Sequence, residues 1–132
     1  TGHKLLREFE GVRQAGDIFL NGQEIGLSEN GVNAYGIDIT DAVTFGAREN
    51  VLAIKVDNSI AYAERATNTN YEWNANDFNP DHGGVDRPVW LHVTGKIHQT
   101  LPLYYGLQQQ GVYIHAGNFD IAKKTADVTV EP

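Results

Sequence analysis

An Asn-Gly pair at residues 21 and 22 most constrains how this chain can fold. Both central residues of a type I′ turn need a positive φ, which Asn tolerates and Gly adopts without steric cost. Apolar residues that lie two apart in the sequence flank the pair on both sides: Ile18, Leu20, Ile25 and Leu27. Each arm therefore presents an apolar row on one face of an extended strand. The stretch Asp17–Leu27 predicts a β-hairpin, which fixes local structure but no function.

Short segments with apolar residues at every second position make up much of the chain, and this is the spacing of a half-buried strand. Clusters of Gly, Asn, Asp and Ser separate these segments, as is typical of turns. One helical turn is predicted to begin at Thr40 or Asp41 and to end at Phe45, and no longer segment has helical spacing. The pattern favours an all-β sandwich or jelly roll. Besides the hairpin, the predicted strands are 5–12, 34–39, 51–57, 88–94, 112–116 and 125–131.

The same spacing predicts which side chains share a face. Leu5 and Phe9 point the same way in the first strand, although Arg7 lies between them. Two further strands have a continuous apolar row, formed by Leu52, Ile54 and Val56 and by Val89, Leu91 and Val93.

Residues 58–86 have neither strand nor helix periodicity, and they are rich in Asn, Asp and Thr. A patternless stretch of this length in a compact domain is either a functional loop or a disordered segment. Disordered segments are usually poor in aromatic residues, whereas this one contains Tyr62, Tyr71, Trp73 and Phe78. We therefore predict an ordered, functional loop.

The charge and the cysteine content exclude several kinds of function. Seventeen acidic and ten basic residues give the 132-residue chain a formal charge of −7. Nucleic acids and anionic membranes bind clustered Lys and Arg, so neither is expected as a partner. Cys is absent, which excludes disulfides, thiolate metal sites and cysteine nucleophiles.

The start of the chain and the absence of Met indicate a piece of a longer protein. The N-terminus lacks the zones of a signal peptide, and no apolar run approaches the ~18 residues of a membrane span. Met is absent, at the first position as elsewhere. The chain is therefore expected to be a processed or excised fragment.

Five stretches in order resemble the N-terminal sugar-binding, jelly-roll-like domain of glycoside hydrolase family 2, which contains β-galactosidases, β-glucuronidases and β-mannosidases. They are Phe9–Val12, Ile18–Gly22, Tyr35–Thr40, Glu49–Val56 and Gly83–Leu91. The resemblance implies a galactose-binding-domain-like β-sandwich over residues 1–118. Residues 119–132 would then be a linker and the first strand of a following immunoglobulin-like domain. Within the family, residues 100–104 and 111–116 favour β-galactosidase-like members.

The chain also departs from that family. Family members have further strands before the one that contains Phe9, and a downstream (β/α)8 barrel with two catalytic glutamates. This chain has no Asn-Glu dipeptide and no room for a barrel of ~250 residues. The resemblance thus implies an accessory domain of a retaining, cofactor-free β-galactosidase-like hydrolase, inactive alone. A free-standing carbohydrate-binding module and a purely structural scaffold domain are the alternatives.

The resemblance also implies partners and a compartment. A β-galactoside-like glycan, the catalytic barrel and the immunoglobulin-like domain would contact this domain. The absent N-terminal strands would leave an exposed sheet edge, through which copies of the chain could associate. The parent is expected in the periplasm or outside a bacterial cell.

The predicted loop of residues 58–86 contains the candidate site residues. In some family members the corresponding loop reaches the barrel and touches the terminal sugar, and Asp77 is the position here that matches such a residue. Asn76 and Trp73 are its companions. Trp73 can stack on a pyranose ring, or it can join Tyr71 in a small core of the loop itself.

Neither a catalytic pair nor a metal site is assigned to the loop. A retaining glycosidase holds two carboxyl groups ~5 Å apart on rigid supports, and one loop carrying Glu72, Asp77, Asp81 and Asp86 does not supply them. The spacing of Asp77, Asn79 and Asp81 is reminiscent of a calcium loop. It lacks the closing bidentate Glu, so we predict no metal.

Overall fold

The computed structural model describes residues 2–13, 15–70, 83–99 and 112–131. These ranges contain eight β-strands and no helix, so the predicted all-β class is confirmed. Within them, nothing has the length and apolar character of a membrane-crossing helix. The strands are β1 (His3–Phe9), β2 (Gly16–Leu20), β3 (Gln23–Ser28), β4 (Tyr35–Asp38), β5 (Leu52–Val56), β6 (Val89–Gly95), β7 (Tyr113–Asp120) and β8 (Thr125–Glu131).

Two three-stranded antiparallel sheets form the body of the fold. The first has the order β4-β1-β6 and the second the order β3-β2-β5. Burial of apolar side chains from both sheets is the main force that holds such layers together. The jelly-roll-like β-sandwich expected from the resemblance is thus observed. Its buried core consists of Leu5, Phe9, Val12, Ile18, Leu20, Ile37 and Ile39.

The Asn-Gly hairpin forms as predicted. Asn21 has a φ of 53° and Gly22 a φ of 83°, as a type I′ turn requires. The Asn21 side chain also accepts a 3.0 Å hydrogen bond from the amide of Val51 and donates one of 2.9 Å to Asn50. The turn therefore fixes the point at which β5 begins, 30 residues further along the chain.

A β-bulge in the hairpin changes which residues of β3 face the core. The pairing shifts between Ile18 and Phe19, so that Ile18 lies opposite Gly26 and Asp17 opposite Leu27. Ile25 packs against the core, but Leu27 lies on the other face. The prediction of a single apolar row in β3 was wrong for Leu27, because the extra residue of a bulge reverses the alternation.

The apolar row of β6 is only partly covered. Val89 packs against the core, but Leu91 is 50% exposed and Val93 is 60% exposed. Both lie on the same face of the first sheet as Leu5, which is opposite Val93 in β1. The three residues thus share one face of β6 as predicted, but only Val89 is covered by the core.

The last two strands form a separate hairpin. Among the described strands, β7 and β8 contact only each other. The predicted strand at 112–116 extends to Asp120, so the expected domain boundary after residue 118 falls inside β7. Ile114, Val128 and Val130 of this hairpin are exposed.

Candidate functional site

The predicted sugar-contacting residues Trp73, Asn76 and Asp77 lie outside the described residues, as do Glu72, Asn79 and Asp81. The structure does describe both ends of the loop that carries them, at residues 58–70 and 83–86. The geometry of these ends shows how the loop is attached to the sandwich.

Arg65 joins the loop to the β2–β3 hairpin. Its guanidinium contacts the carboxylate of Asp17 and donates a 3.2 Å hydrogen bond to Oε1 of Glu24. Asp17 is nearly covered, with 13% of its side chain exposed, and Lys55 lies 3.8 Å from its second oxygen. One cation thus bridges carboxylates from both arms of the hairpin, which fixes the start of the loop against the second sheet.

Glu29 provides the second attachment of the loop. Its Oε1 accepts a 2.6 Å hydrogen bond from the hydroxyl of Tyr62 and a 2.8 Å hydrogen bond from the backbone amide of Arg65. Burial, followed by the hydrogen bond to the Glu29 carboxylate, raises the pKa of Tyr62 far above its usual value near 10. Tyr62 therefore remains protonated at neutral pH and acts as a hydrogen-bond donor to this carboxylate.

A small turn structure follows this attachment. Ala63 and Asn70 form an antiparallel bridge, and the amide of Glu64 donates a 2.9 Å hydrogen bond to the carbonyl of Thr69. Asn68 adopts a φ of 55°, which Asn tolerates better than most residues. The chain thus turns back on itself here, and its direction at residue 70 is set by backbone hydrogen bonds.

The far end of the loop is fixed to the segment that joins β1 to β2. Gly84 and Arg13 exchange two backbone hydrogen bonds of 2.7 and 2.8 Å. Gly83 lies against Asn58, where a Cβ at residue 83 would come within 2.6 Å of Asn58 Cγ. Residues 58 and 83 are therefore in contact, so the two described ends of the loop lie close together at its base.

A shallow depression of about 370 Å³ lies beside the second attachment, at Glu29. Carboxylates and amides can bond sugar hydroxyls, because each hydroxyl both donates and accepts. The depression has the donors and acceptors for a small polar ligand. Its lining includes Ser28, Glu29, Asn30, Asn33 and Glu64.

The outer face of the first sheet has a second polar cluster. Nε2 of His92 lies 2.6 Å from Oε2 of Glu8, and Nε1 of Trp90 donates a 2.7 Å hydrogen bond to Glu10. His92 is half-buried and paired with a carboxylate. Within the described ranges, no three His, Asp or Glu residues are grouped as a metal site would need.

The attachment residues could not be found from the sequence. Arg65 is 48 residues from Asp17, and Tyr62 is 33 residues from Glu29. The sequence offers two signals. Asp17 and Glu24 are acidic residues on the outer face of the predicted hairpin, and the predicted loop contains a single Arg before residue 87.

Comparisons with known proteins agree with this fold. Residues 2–98 match the model of a family described as glycosyl hydrolase 2 galactose-binding domain-like. A beta-glucuronidase of Formosa agariphila is 42% identical over 130 residues, which are 98% of this chain and 13% of that protein. A beta-galactosidase of Bacteroides ovatus is 33% identical over 96 residues, 72% of this chain and 10% of that protein.

A solved structure shows the same architecture. The structure of a beta-glucuronidase from glycoside hydrolase family 2 superposes with a TM-score of 0.83 at 39% identity, over 98% of this chain and 13% of that one. The chain thus spans only about an eighth of the relatives that it matches along its whole length. It belongs to the glycosyl hydrolase 2 galactose-binding domain-like family.

Proposed function

We propose that this chain is a non-catalytic accessory domain of a longer family 2 glycoside hydrolase that cleaves terminal β-linked sugars. The observation that carries the proposal is the 42% identity over 98% of the chain to a small part of a protein named beta-glucuronidase. The family match over residues 2–98 supports the same assignment. Catalysis would then be the task of a part of the polypeptide outside these 132 residues.

Two substrate classes follow from the relatives. Both a relative and a solved structure that align with 98% of the chain are named beta-glucuronidase. Another relative is named beta-galactosidase, and the sequence resemblance also favours that activity. We rank a β-glucuronide first and a β-galactoside second as the sugar that the parent releases.

The loop of residues 58–86 is proposed to line one edge of the sugar pocket of the parent. Support comes from its closed base, where Arg65 and Tyr62 hold one end and Gly84 holds the other. Such a base fixes the two points, at residues 70 and 83, from which the intervening residues start. Asp77, Asn76 and Trp73 would there contact the sugar by hydrogen bonds and stacking.

We also propose that the accessory domain ends before β7. The family match stops at residue 98, and β7 pairs with β8 rather than with either sheet of the sandwich. The hairpin would then belong as a unit to the following immunoglobulin-like domain, which moves the expected boundary from residue 118 to before residue 113.

The test compares the 132-residue chain with the product of its complete open reading frame. Both proteins are purified and assayed with nitrophenyl β-glucuronide and nitrophenyl β-galactoside. We expect the longer protein to hydrolyse one of the two and the 132-residue chain to hydrolyse neither. Turnover by the 132-residue chain would overturn the proposal, as would a longer protein that hydrolyses no β-glycoside.

A further inference from the structure

The chain contains two Asn-Gly pairs, at residues 21–22 and 30–31. In such a pair the backbone nitrogen of the Gly can attack the side-chain amide carbon of the Asn, because the Gly has no side chain to shield that nitrogen. Asn is for this reason among the thermolabile residues of proteins. The fold holds the two pairs differently, and this difference decides which of them can react.

Hydrogen bonds hold the side chain of Asn21 at both of its polar atoms. Its Nδ2 donates to the carbonyl of Ala42 at 3.2 Å and to Oδ1 of Asn50 at 2.9 Å, and its Oδ1 accepts from the amide of Val51 at 3.0 Å. The backbone is fixed as well, because the amide of Asn21 donates a 2.9 Å hydrogen bond to the carbonyl of Val51. Attack by Gly22 requires the amide carbon to leave this arrangement, so the hydrogen bonds oppose it.

The side chain of Asn30 is held at one atom only. Asn30 is exposed in the connection between β3 and β4, and its Oδ1 accepts a 3.1 Å hydrogen bond from the amide of Val32. No hydrogen bond joins its Nδ2 to any residue in the part of the chain that the structure describes. The contact at Oδ1 favours attack, because negative charge develops on this oxygen and an N–H donor stabilises it.

Packing keeps Gly at residue 31. A Cβ there would lie 2.9 Å from Cγ of Arg13 and 3.1 Å from its Cα, both closer than ordinary van der Waals contact. The backbone of Arg13 is itself fixed by two hydrogen bonds to Gly84. The fold therefore retains the reactive Asn-Gly pair at this position.

We propose that Asn30 is a site of spontaneous deamidation and that this modification releases one attachment of the loop of residues 58–86. The nitrogen of Gly31 forms a bond to Cγ of Asn30, the Cγ–Nδ2 bond breaks, and ammonia leaves with the proton of the Gly31 amide. Water then opens the cyclic imide. Cleavage of the new N–Cγ bond leaves Asp, and cleavage at the backbone carbonyl leaves isoaspartate, in which the main chain runs through Cβ and Cγ.

The modified residue adjoins the attachment at Glu29. The Oε1 atom of Glu29 accepts the hydroxyl of Tyr62 and the backbone amide of Arg65. Both products place a further carboxylate in the depression that Glu29 and Glu64 line together with Asn30, and like charges repel. Isoaspartate also adds one carbon to the main chain directly after Glu29. The position of the Glu29 carboxylate relative to its two donors is therefore disturbed.

Peptide mass mapping of aged protein tests the site. The product of the complete open reading frame is incubated in mildly alkaline buffer, both folded and in guanidinium chloride. Cleavage after Glu24 and Glu29 then places the two Asn residues on different peptides. Each rate in the folded protein is divided by the rate of the same residue in guanidinium chloride. We expect this ratio to be at least about tenfold higher for Asn30 than for Asn21, whose hydrogen bonds must first break. A ratio for Asn30 no higher than that for Asn21 would overturn the proposal.

Hydrogen exchange tests the effect on the loop. Deamidation adds one negative charge, so ion exchange separates the protein modified at residue 30 from the unmodified form. The amide of Arg65 should exchange several-fold faster in the modified form, while the amides of β1 keep their rates. Equal exchange at Arg65 in the two forms would overturn the release of the loop.

Asn30→Gln is the matched control. Its longer side chain would have to close a larger ring, so the variant should keep slow exchange at Arg65 after the same incubation. Faster exchange in the aged variant would also overturn the proposal, because the loop would then loosen without this modification. Both readouts are independent of glycosidase activity.

Discussion

Tyr62 and Glu29 are joined by a 2.6 Å hydrogen bond across 33 residues of sequence. The same carboxylate oxygen accepts the backbone amide of Arg65. The end of β3 thereby holds the beginning of the long loop through one side chain and one backbone group. A loop base fixed in this way limits the directions in which the rest of the loop can leave the sandwich.

Loss of the Tyr62 hydroxyl should weaken the domain. Tyr62→Phe keeps the ring but leaves the half-buried Glu29 without one of its donors, and a hydrogen bond to a charged group contributes ~1.5–3 kcal/mol when fully shielded. Because this pair is only partly buried, we expect a loss of about 1 kcal/mol in the free energy of unfolding, measured by urea denaturation. Tyr113→Phe, at a 53% exposed residue of the C-terminal hairpin, is the matched control and should change the midpoint little.

Removal of the Arg65 side chain should loosen the loop base without unfolding the sandwich. Arg65→Ala deletes the bridge between Asp17 and Glu24, so the amides of Glu64 and Asn68 should exchange with solvent several-fold faster. Amides of β1 should keep their wild-type rates. Arg48→Ala removes an exposed cation as the control. Unchanged exchange at Glu64 and Asn68 would show that the loop base is held without the Arg65 side chain, by the Tyr62–Glu29 hydrogen bond and the backbone hydrogen bonds.

Acid should weaken the link between β4 and β1. Burial opposes ionisation of Asp38, but the hydrogen bonds from Lys4 and Thr40 outweigh it and lower the pKa of Asp38. A carboxyl group with a lower pKa in the folded state stabilises the fold above its unfolded pKa of ~3.9, and this contribution disappears as the pH falls through the folded pKa. The stability difference between the wild type and Asp38→Asn should therefore be constant above about pH 5 and shrink below pH 4 in denaturation at a series of pH values. Glu49→Gln, at an exposed carboxylate, is the control; a constant difference down to pH 2 would contradict the prediction.

Local chemistry explains why much of the fold could be predicted. The Asn-Gly turn needs positive φ at two successive residues, and few other residue pairs meet that need. Alternation in β5 reflects burial of one sheet face, so it is visible in the sequence. The β3 bulge is not, because Gly26 opposite Ile18 has a reason only in three dimensions: a Cβ there would lie 2.8 Å from Ile37 Cδ1.

The attachment of the loop depends on contacts between distant parts of the chain. The sequence pattern predicts exposed strand positions for Asp17 and Glu24. It predicts loop positions for Tyr62 and Arg65. Their association requires the β2–β3 hairpin and the loop to lie next to each other in the folded chain. Sequence spacing carries no information on such pairs, whereas it does identify the loop itself through its lack of any period.

The last prediction concerns Asp77, whose role as a sugar contact is a proposal. If Asp77 holds a sugar hydroxyl more tightly in the transition state than in the ground state, Asp77→Ala in the parent should lower kcat/KM roughly tenfold to a thousandfold, on the scale of one or two lost charge-assisted hydrogen bonds. Steady-state kinetics on the preferred nitrophenyl glycoside measures this, and the melting temperature should barely change. Trp73→Ala should also lower kcat/KM if the indole stacks on the sugar, while Glu49→Ala should leave it unaltered. Wild-type kinetics in both Asp77→Ala and Trp73→Ala would show that the loop does not contact the sugar. A scaffold role for the domain would then be the better account.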